Sequence, residues 1–323
     1  MARSALIRSQ LGIEGTPGTP VAASVQLPGL LTMRHAPNRV LREEYRNSWG
    51  GTNTHDDLRL ESTGQYAGRC TASTLIYWLS AATRGDPTIT GSGPYVHVYN
   101  QPLTVAPIPA LKYLSAYFGD EAGALCAPGV VVTRIVIEGA DDAAWTIRAD
   151  LLGMGMVAGS FNAALTTIPN ETVKNLLTSL HIANSWAALT PTPPAAALNL
   201  AYGFTWTWDS GIAGDFTMSN QLNRTDIHRD IPTTTLQLRL KWAGIATQEA
   251  VNTINLSRRF IRLKNTGTVN SIIQIDGAYD PLTMDTIADQ RDGTTRATWD
   301  LVAVEDTARK IEVSVTNNVA AVA

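Results

Sequence analysis

Metal binding is the first chemistry that the residue types suggest, because closely spaced histidines and carboxylates hold divalent cations. His55, Asp56 and Asp57 are adjacent in the sequence. The histidines as a set, however, form no HExxH or other ligand spacing; they are His35, His55, His97, His181 and His228. We interpret residues 55–57 as a polar loop that enters a strand, and we predict no metal site.

Catalytic and cofactor motifs give no better signal. The segment LLGMGMVAG at 151–159 contains Gly-x-Gly, but it lacks the third glycine and the strand-then-helix setting of a dinucleotide site. The sequence contains no GxSxG elbow and no GxxxxGK[ST] phosphate loop. The acidic pair Asp141 and Asp142 lies between two alternating runs, where a hairpin turn explains it. We predict no catalytic residue, no cofactor and no enzyme activity.

The charge balance limits the possible partners. The chain has 25 basic and 28 acidic residues, a formal net charge of −3, which argues against a cationic surface that grips nucleic acid through its phosphates. A channel through which nucleic acid slides without sticking remains compatible with this charge. Only 16% of the residues are charged, against roughly 25% in an average soluble protein, which favours self-assembly.

One basic cluster could contribute to such assembly. Arg258, Arg259, Arg262 and Lys264 fall on one predicted strand. Guanidinium groups pair bidentately with carboxylates, so these side chains form either a charged solvent face or a subunit contact.

The cysteines and the ends of the chain indicate a cytoplasmic origin. Cys70 and Cys126 form no CxxC or Cys/His cluster, and each is predicted to be a small buried apolar residue. The first residues, MARSALIRSQ, lack the apolar core of a secretory signal. No stretch approaches the ~18 uninterrupted apolar residues of a membrane span, so we expect no membrane span.

Period-two alternation dominates the chain and predicts strands with one buried face. The clearest runs are AWTIRADL (144–151), GFTWTWD (203–209), TLQLRLKW (235–242) and KIEVSV (310–315). About a dozen such short runs predict a mainly β protein built as β-sandwiches or barrels. The turn signal DSGIAGD after GFTWTWD predicts a hairpin whose second strand carries Phe216 and Met218.

Four segments show helical features. The 72–83 segment ends before Gly85, and the 171–182 segment has Asn170 as a predicted N-cap. IATQEAVNTI at 245–254 predicts a shorter helix, and PALKYLSAYFG at 109–119 predicts about two turns.

The domain boundaries follow from a proline- and alanine-rich stretch at 188–198, which is typical of a linker. A strand–helix–strand order occurs on both sides of it. We therefore predict two tandem β-sandwich or barrel modules with short flanking helices, at 30–187 and 199–323, the second ending in a carboxy-terminal tail. Residues 1–29 are predicted to form an amino-terminal arm.

Three segments together resemble siphophage major tail tube proteins, the subunits of long non-contractile tails. They are QLGIEGTPGTPVAAS (10–24), LESTGQYAGRCTASTLIYWLSAATRG (60–85) and TRIVIEGADDAAWTIRADLLGMG (133–155). The resemblance implies a virion protein, assembled in the host bacterial cytoplasm, whose rings stack into a hollow tail tube. It implies hexameric rings, or trimeric rings with pseudo-sixfold symmetry if the two halves are both tube-like.

The same resemblance implies partners and contacts. The partners would be further copies of the chain, a tape-measure protein, and tail terminator or tip proteins, with double-stranded DNA passing through without specific binding. The arm would connect one ring to the next, so we expect its removal, residues 1–28, to leave a folded monomer that cannot polymerise. The expected inter-ring contacts are Leu11, Ile13, Pro17, Gly18, Val21 and Val25. Thr-Pro-Gly-Thr at 16–19 predicts a type I or II turn in the arm.

Three alternatives remain open. A carbohydrate- or protein-binding module of a tail fibre or adhesin would need an exposed aromatic platform, for which Trp206 and Trp208 are the candidates. A jelly-roll enzyme is disfavoured because no ligand set is present. Another ring protein or a capsid-decoration protein shares the expected features of a tube subunit.

Overall fold

The computed structural model confirms a mainly β fold. It describes residues 7–35, 37–42, 54–83, 86–100, 111–189, 201–216, 224, 226–242, 244–267, 270–291, 294–306 and 309–322. Before the proline- and alanine-rich stretch the strands are β1 Arg8–Glu14, β2 Val25–Leu27, β3 Leu30–His35, β4 Asn38–Arg42, β5 Thr54–Arg59, β6 Ser62–Arg69, β7 Thr88–Thr90, β8 Tyr95–Asn100, β9 Tyr113–Asp120, β10 Gly123–Ala140, β11 Thr146–Gly153, β12 Val157–Gly159 and β13 Thr178–Ala183.

After that stretch the strands continue to the end of the chain. They are β14 Ala201–Asp209, β15 Ile212–Asp215, β16 Asp226–Arg229, β17 Thr233–Lys241, β18 Arg259–Thr266, β19 Ile272–Arg291, β20 Thr294–Ala303 and β21 Ile311–Asn317. The described helices are α1 Ala72–Ala82, α2 Trp186–Leu189 and α3 Gly244–Ile254. The predicted helices at 72–83 and 245–254 are therefore confirmed.

Eight strands form one antiparallel layer, which we call the wide sheet. Its order is β3-β6-β11-β10-β14-β17-β20-β19, so it contains strands from both ends of the chain. The predicted alternation places Phe204, Trp206 and Trp208 on its inner face, each no more than 2% exposed. The layer is thus a one-sided amphipathic sheet, as is common for antiparallel sheets.

A second layer covers the inner face of the wide sheet. Residues 123–130 of β10 pair with β9 and β12, and β9 pairs in turn with β1. Residues 272–279 of β19 pair with β18 and β21, which pair with β13 and β8. The long strands β10 and β19 each pass from one layer to the other, so the strands wrap around the core in the manner of a barrel.

The core lies between these layers and includes α1. All residues of α1 except Ser73 are buried, and Trp78 is fully buried with its ring 4.7 Å from that of Tyr66. Thr71 begins the helix with a capping box, its Oγ1 accepting from the backbone N–H of Thr74 at 3.1 Å. A helix that is apolar on nearly all sides is stable only when it is enclosed, as α1 is.

The two parts of the chain share this core. Leu11, Trp78, Trp206 and Val313 all belong to one buried apolar cluster. Strands of the two predicted modules, 30–187 and 199–323, pair with each other within the wide sheet, through the β10–β14 ladder. Most of the predicted linker at 188–198 lies outside the described residues, and Leu189 is buried at the end of α2.

The pairings nevertheless occur in the same order in both parts. In the first part β3 pairs with β6, β6 with β11, and β11 with β10. In the second part β14 pairs with β17, β17 with β20, and β20 with β19. A separate two-stranded hairpin, β4–β5 or β15–β16, stands between the first two strands of each set.

Two helix predictions are wrong. Residues 171–182 contain a single 3-10 turn, Asn175–Leu177, followed by strand β13, because β18 offers that segment a six-residue ladder. Leu176, which the helical pattern placed inside, is 74% exposed. In the segment at 109–119, residues 113–119 belong to β9, which pairs with β1 and β10. Residues 55–57 lie within β5 and not in a loop.

The predicted hairpin at 204–218 is also wrong. Strand β15 pairs with β16, whereas β14 pairs with β10 and β17. The turn after β14 is tied to β10, since the Ser210 hydroxyl donates to the carbonyl oxygens of Val132 and Thr133. Phe216 lies beyond the end of β15, and Met218 lies outside the described residues.

Part of the segment predicted to be an amino-terminal arm, 1–29, is a strand of the chain's own fold. Residues 8–14 form β1, which pairs along its whole length with β9 and at one end with β2. Leu11 is fully buried and Val25 is 7% exposed. These apolar side chains gain more from the core of their own chain than an unattached arm could give them.

Candidate assembly surface

The outward side of the wide sheet, which we call the outer face, is polar and rich in threonine. Cross-strand partners such as Thr205 and Gln237, or Thr207 and Thr235, stand side by side on it. β-branched residues suit a strand because their side chains pack well against cross-strand neighbours on the pleated surface. The threonines of this face are Thr32, Thr63, Thr146, Thr205, Thr207, Thr233, Thr235, Thr283 and Thr298.

Charges on the outer face nearly cancel. The described acidic side chains are Glu138, Asp150, Asp209, Asp280, Asp285 and Asp300. The described basic ones are Arg34, Arg69, Arg134, Arg148, Arg239, Lys241 and Arg296. Six acidic against seven basic groups, interspersed along the strands, do not make the cationic stripe that retains phosphates.

Two hydrogen bonds on the outer face are near copies of each other. The Gln65 amide donates to Asp150 Oδ1 at 2.9 Å, across β6 and β11. The Gln237 amide donates to Asp300 Oδ1 at 2.8 Å, across β17 and β20. A groove of about 410 Å³ crosses the second pair. Its described lining combines four threonines, Gln237 and Asp300 with three leucines, Leu236, Leu282 and Leu301, and it contains no nucleophile–base pair.

The wide sheet has two free edges among the described strands. Strand β3 pairs with β6 alone among the strands, with one edge N–H, that of Leu31, donating to Ser9 Oγ at 3.0 Å. Residues 280–291 of β19 pair with β20 alone. Leu30 on β3 is 46% exposed and Leu282 on β19 is 58% exposed. Open edges of this kind present unpaired backbone groups and are places where a further strand adds.

The predicted arm contacts are divided between core and surface. Leu11 and Val25 lie in the main core, with Ile13 packed against it, and Val21 is half-buried. Pro17 and Gly18 form the predicted turn, in which the Thr19 N–H donates to the Thr16 carbonyl at 3.1 Å. Gly18 has φ +78°, so the turn at 16–19 is of type II, with proline and glycine in their preferred places.

A buried carboxylate that sequence reasoning missed holds this turn in place. Glu14 Oε2 accepts from the Gly18 N–H at 2.7 Å. Its Oε1 accepts from the Ser115 hydroxyl at 2.7 Å and from the Gly129 N–H at 2.8 Å. Glu14 thus ties β1 to β9 and to the corner of β10. No signal in the sequence indicated this burial, because alternation sets Glu14 on the face opposite Leu11 and Ile13, where an acidic side chain needs no partner, whereas β1 is buried on both faces.

The predicted interface charges are mostly paired within the chain. Arg262 forms a bidentate pair with Asp276 at 2.7 and 2.8 Å, and this hydrogen bonding raises the guanidinium pKa. Arg259 forms a buried bidentate pair with Glu249 on α3, at 2.6 Å for both bonds.

The two other members of that cluster lie at the surface or partly so. Arg258 donates to Asp280 Oδ1 at 3.0 Å, and this bond raises its pKa. Lys264 is half-buried on the same strand. Arg258, Arg259 and Arg262 therefore connect residues 258–262 to carboxylates of the same chain.

The other singled-out side chains lie inside. Trp206 and Trp208 are fully buried with ring centroids 6.0 Å apart, so the exposed aromatic platform of an adhesin is not formed by these residues. Cys70 and Cys126 are free and buried, as predicted. Burial raises the pKa of the Cys70 thiol from 9.0 to about 12 and raises that of Cys126 as well.

The described residues offer neither a metal-binding cluster nor a membrane-spanning helix. Among the described residues no group of three His, Cys, Asp or Glu side chains could hold a metal ion. In the same part of the chain, no helix has the length and apolar character needed to cross a bilayer. Comparison of the sequence with protein-family models finds no match, and comparison with curated proteins finds none either.

Proposed function

We propose that this chain is a structural virion protein whose copies join edge to edge into rings, and that the rings stack into the tube of a long non-contractile phage tail. The observation that carries the proposal is the wide sheet, with its polar outer face and its two free edges. The resemblance of three sequence segments to tail tube proteins supports the same function.

Ring closure gives each free edge a partner. The β3 edge and the β19 edge are different surfaces, so a contact between them is heterologous and leads to a closed ring or an open fibre. A closed ring removes every open edge of the wide sheet. Its outer faces would then line the bore, with the second layer and the helices on the outside.

By strand spacing, three is the smallest number of chains whose bore clears a DNA duplex over the whole range of strand tilt. Three eight-stranded sheets give 24 strands, and neighbouring strands are about 4.8 Å apart. The barrel would be about 37 Å wide between backbones with upright strands and about 48 Å wide at a tilt near 40°. After about 10 Å for side chains the bore is roughly 27–38 Å, whereas two chains leave only roughly 14–22 Å. A DNA duplex is roughly 20 Å across.

The repeated pairing order gives such a trimer sixfold character. Each chain supplies two four-stranded sets, β3-β6-β11-β10 and β14-β17-β20-β19, joined by the β10–β14 ladder. We infer that these sets are tandem tube-like modules that share one core, so that three chains supply six similar positions around the bore.

The outer face suits a conduit for nucleic acid. Its mixed charges and numerous threonines offer hydrogen bonds without the cationic excess that would hold a phosphate backbone. Double-stranded DNA would pass without specific binding. Tape-measure and tail terminator or tip proteins are the further partners that this function requires, and the virion tail is its location.

Electron microscopy of the purified full chain tests the proposal. On concentration or warming, we expect hollow tubes of uniform width by negative staining and a fast-sedimenting species that depends on concentration. A chain that stays monomeric under all such conditions and binds glycans on an array would favour the adhesin alternative instead. The burial of Trp206 and Trp208 already leaves that alternative without its expected platform.

A further inference from the structure

We infer that the seam between neighbouring chains is an antiparallel ladder between β19 of one copy and β3 of the next, in the register that sets Asp285 opposite Arg34 of the neighbouring copy. This inference rests on the proposed ring function. It follows from using the β10–β14 ladder inside the chain as the template for the ladder between chains.

The first step aligns the two strand sets. Asp150 receives the Gln65 amide, and Asp300 receives the Gln237 amide, at the same place in each set. Each aspartate also lies next to a bulge in the neighbouring strand. Thr133 is the extra residue of β10 just before Arg134, which pairs with Asp150.

The second set repeats this arrangement on β19. Leu282 is its extra residue, just before Thr283, which pairs with Asp300. A shared hydrogen bond and a shared bulge fix the correspondence as far as Asp285, because a shift by one would reverse the faces of the strands. Beyond Asp285 the β19–β20 ladder shifts register again before Asp289, and β10 has no counterpart of this shift. Position 283 therefore corresponds to 134, and position 285 corresponds to 136.

The second step aligns the outer strands. Thr32 pairs with Gln65, and Thr205 pairs with Gln237, so the threonines occupy equivalent positions on β3 and β14. Two residues further on, Arg34 pairs with Thr63 and Thr207 pairs with Thr235. Position 34 therefore corresponds to 207.

The third step transfers the internal ladder. Inside the chain, Val136 of β10 stands opposite Thr207 of β14 on the outer face. The equivalent pair between chains is Asp285 and Arg34. Both residues are exposed. Arg34 lies on the edge strand β3, and its Nε donates to Thr63 Oγ1 of β6 at 3.3 Å. Directly opposite residues have Cβ atoms roughly 4.5–5.5 Å apart, within reach of an ion pair.

The change from a neutral to a charged pair has a physical reason. The β10–β14 ladder joins parts of one chain that are always together, so its register needs no charge to select it. Two separate copies must find one register among several, and opposite charges placed opposite each other favour that register over slipped ones. Slippage by two residues in one direction would place Asp285 opposite Thr32.

Charge reversal tests the pair. We expect Asp285→Arg alone and Arg34→Asp alone each to raise the critical concentration for tube assembly by about tenfold or more, since each places like charges at every seam of the ring. The double variant should return to within about threefold of the wild-type value. Glu138→Arg is the matched control, because Glu138 is exposed on the outer face but lies on the internal strand β10.

Cysteine cross-linking provides a second readout that does not depend on charge. Asp285→Cys combined with Arg34→Cys should give disulfide-linked chains that end at the trimer on a denaturing gel. Thr283→Cys combined with Arg34→Cys is out of register and should cross-link weakly. The native cysteines do not interfere, because both are buried. Equal thermal midpoints of the monomeric variants would show that their folds are intact.

The possible failures are distinguishable. If wild-type protein never assembles, the proposed function and the seam both fail. If wild-type protein forms tubes but the single reversals assemble equally well, or the double variant is no better than the singles, the ring function stands and this register is wrong. Efficient cross-linking of the 283 and 34 pair in place of the 285 and 34 pair would also overturn the register.

Discussion

Truncation of Leu11 tests whether the amino-terminal segment belongs to the fold of its own chain. Leu11 is fully buried in the main core, on β1 between β2 and β9. A buried Leu→Ala change costs about 2–5 kcal/mol, from the lost apolar burial and the cavity that remains. For 323 residues the entropy of unfolding is about 0.7 kcal/mol/K, so a 3 kcal/mol loss lowers the melting temperature by about 4 °C.

The assay is thermal and urea unfolding of the monomeric protein, followed by circular dichroism and tryptophan fluorescence. Leu256→Ala is the matched control, because Leu256 is 76% exposed and the same change there should cost less than about 0.5 kcal/mol. Equal stabilities of the Leu11→Ala variant and the wild type would refute the placement of β1 and restore the free arm. On the present structure, removal of residues 1–28 should unfold the protein or leave it aggregated.

Three further predictions concern buried polar groups. Asn175→Ala should lower the free energy of unfolding by about 2–4 kcal/mol, because the Asn175 amide donates to two backbone carbonyls and accepts from the Trp145 indole. Urea titration measures this loss, and an unchanged free energy of unfolding would contradict the bridging role of Asn175. Burial raises the pKa of the Cys70 thiol in the folded state. The stabilisation that comes from burying the neutral thiol is therefore fully present below pH 9 and is lost as the pH rises toward 12. Between pH 9 and 10 the stability of the wild type should therefore fall more steeply than that of Cys70→Ala, by up to about 1.4 kcal/mol per pH unit, and parallel curves would contradict the burial. Arg259→Met should cost about 3–5 kcal/mol because it leaves Glu249 unpaired, and Arg259→Met with Glu249→Leu should recover most of it; a double variant as unstable as the single would contradict this account.

Local patterns in the sequence were sufficient for elements whose burial agrees with their period. The alternation around Trp206 and the apolar run around Trp78 predicted β14 and α1 because both elements bury the faces that the patterns indicate. The turn at Pro17 and Gly18 was predictable because it depends on φ preferences of two residues and on little else.

Elements that depend on distant partners were not predictable in this way. The segment around Leu176 has a helical pattern, but a ladder with β18, more than 80 residues away, makes it a strand. The same holds for β1, since nothing near Leu11 in the sequence identifies β9 as its partner. The hairpin after Trp208 failed because the order of pairing in a sheet is a property of the whole chain.

The outer face of the wide sheet was predictable from the sequence only in part. The threonine and aspartate positions of the outer face could be read from the alternation, but its free edges could not, because an edge is defined by the absence of a neighbour. The equivalence of Gln65 with Gln237 became visible only once both were seen to donate to an aspartate across a strand pair.

The most direct test of the central claim is a cryo-electron microscopy map of assembled rings viewed along the tube axis. We expect three chains in each ring and 24 continuous strands around a bore roughly 27–38 Å wide, with the threonine-rich outer face turned inward. A ring whose bore is lined by the other layer, or one in which β3 and β19 of neighbouring chains remain unpaired, would contradict it.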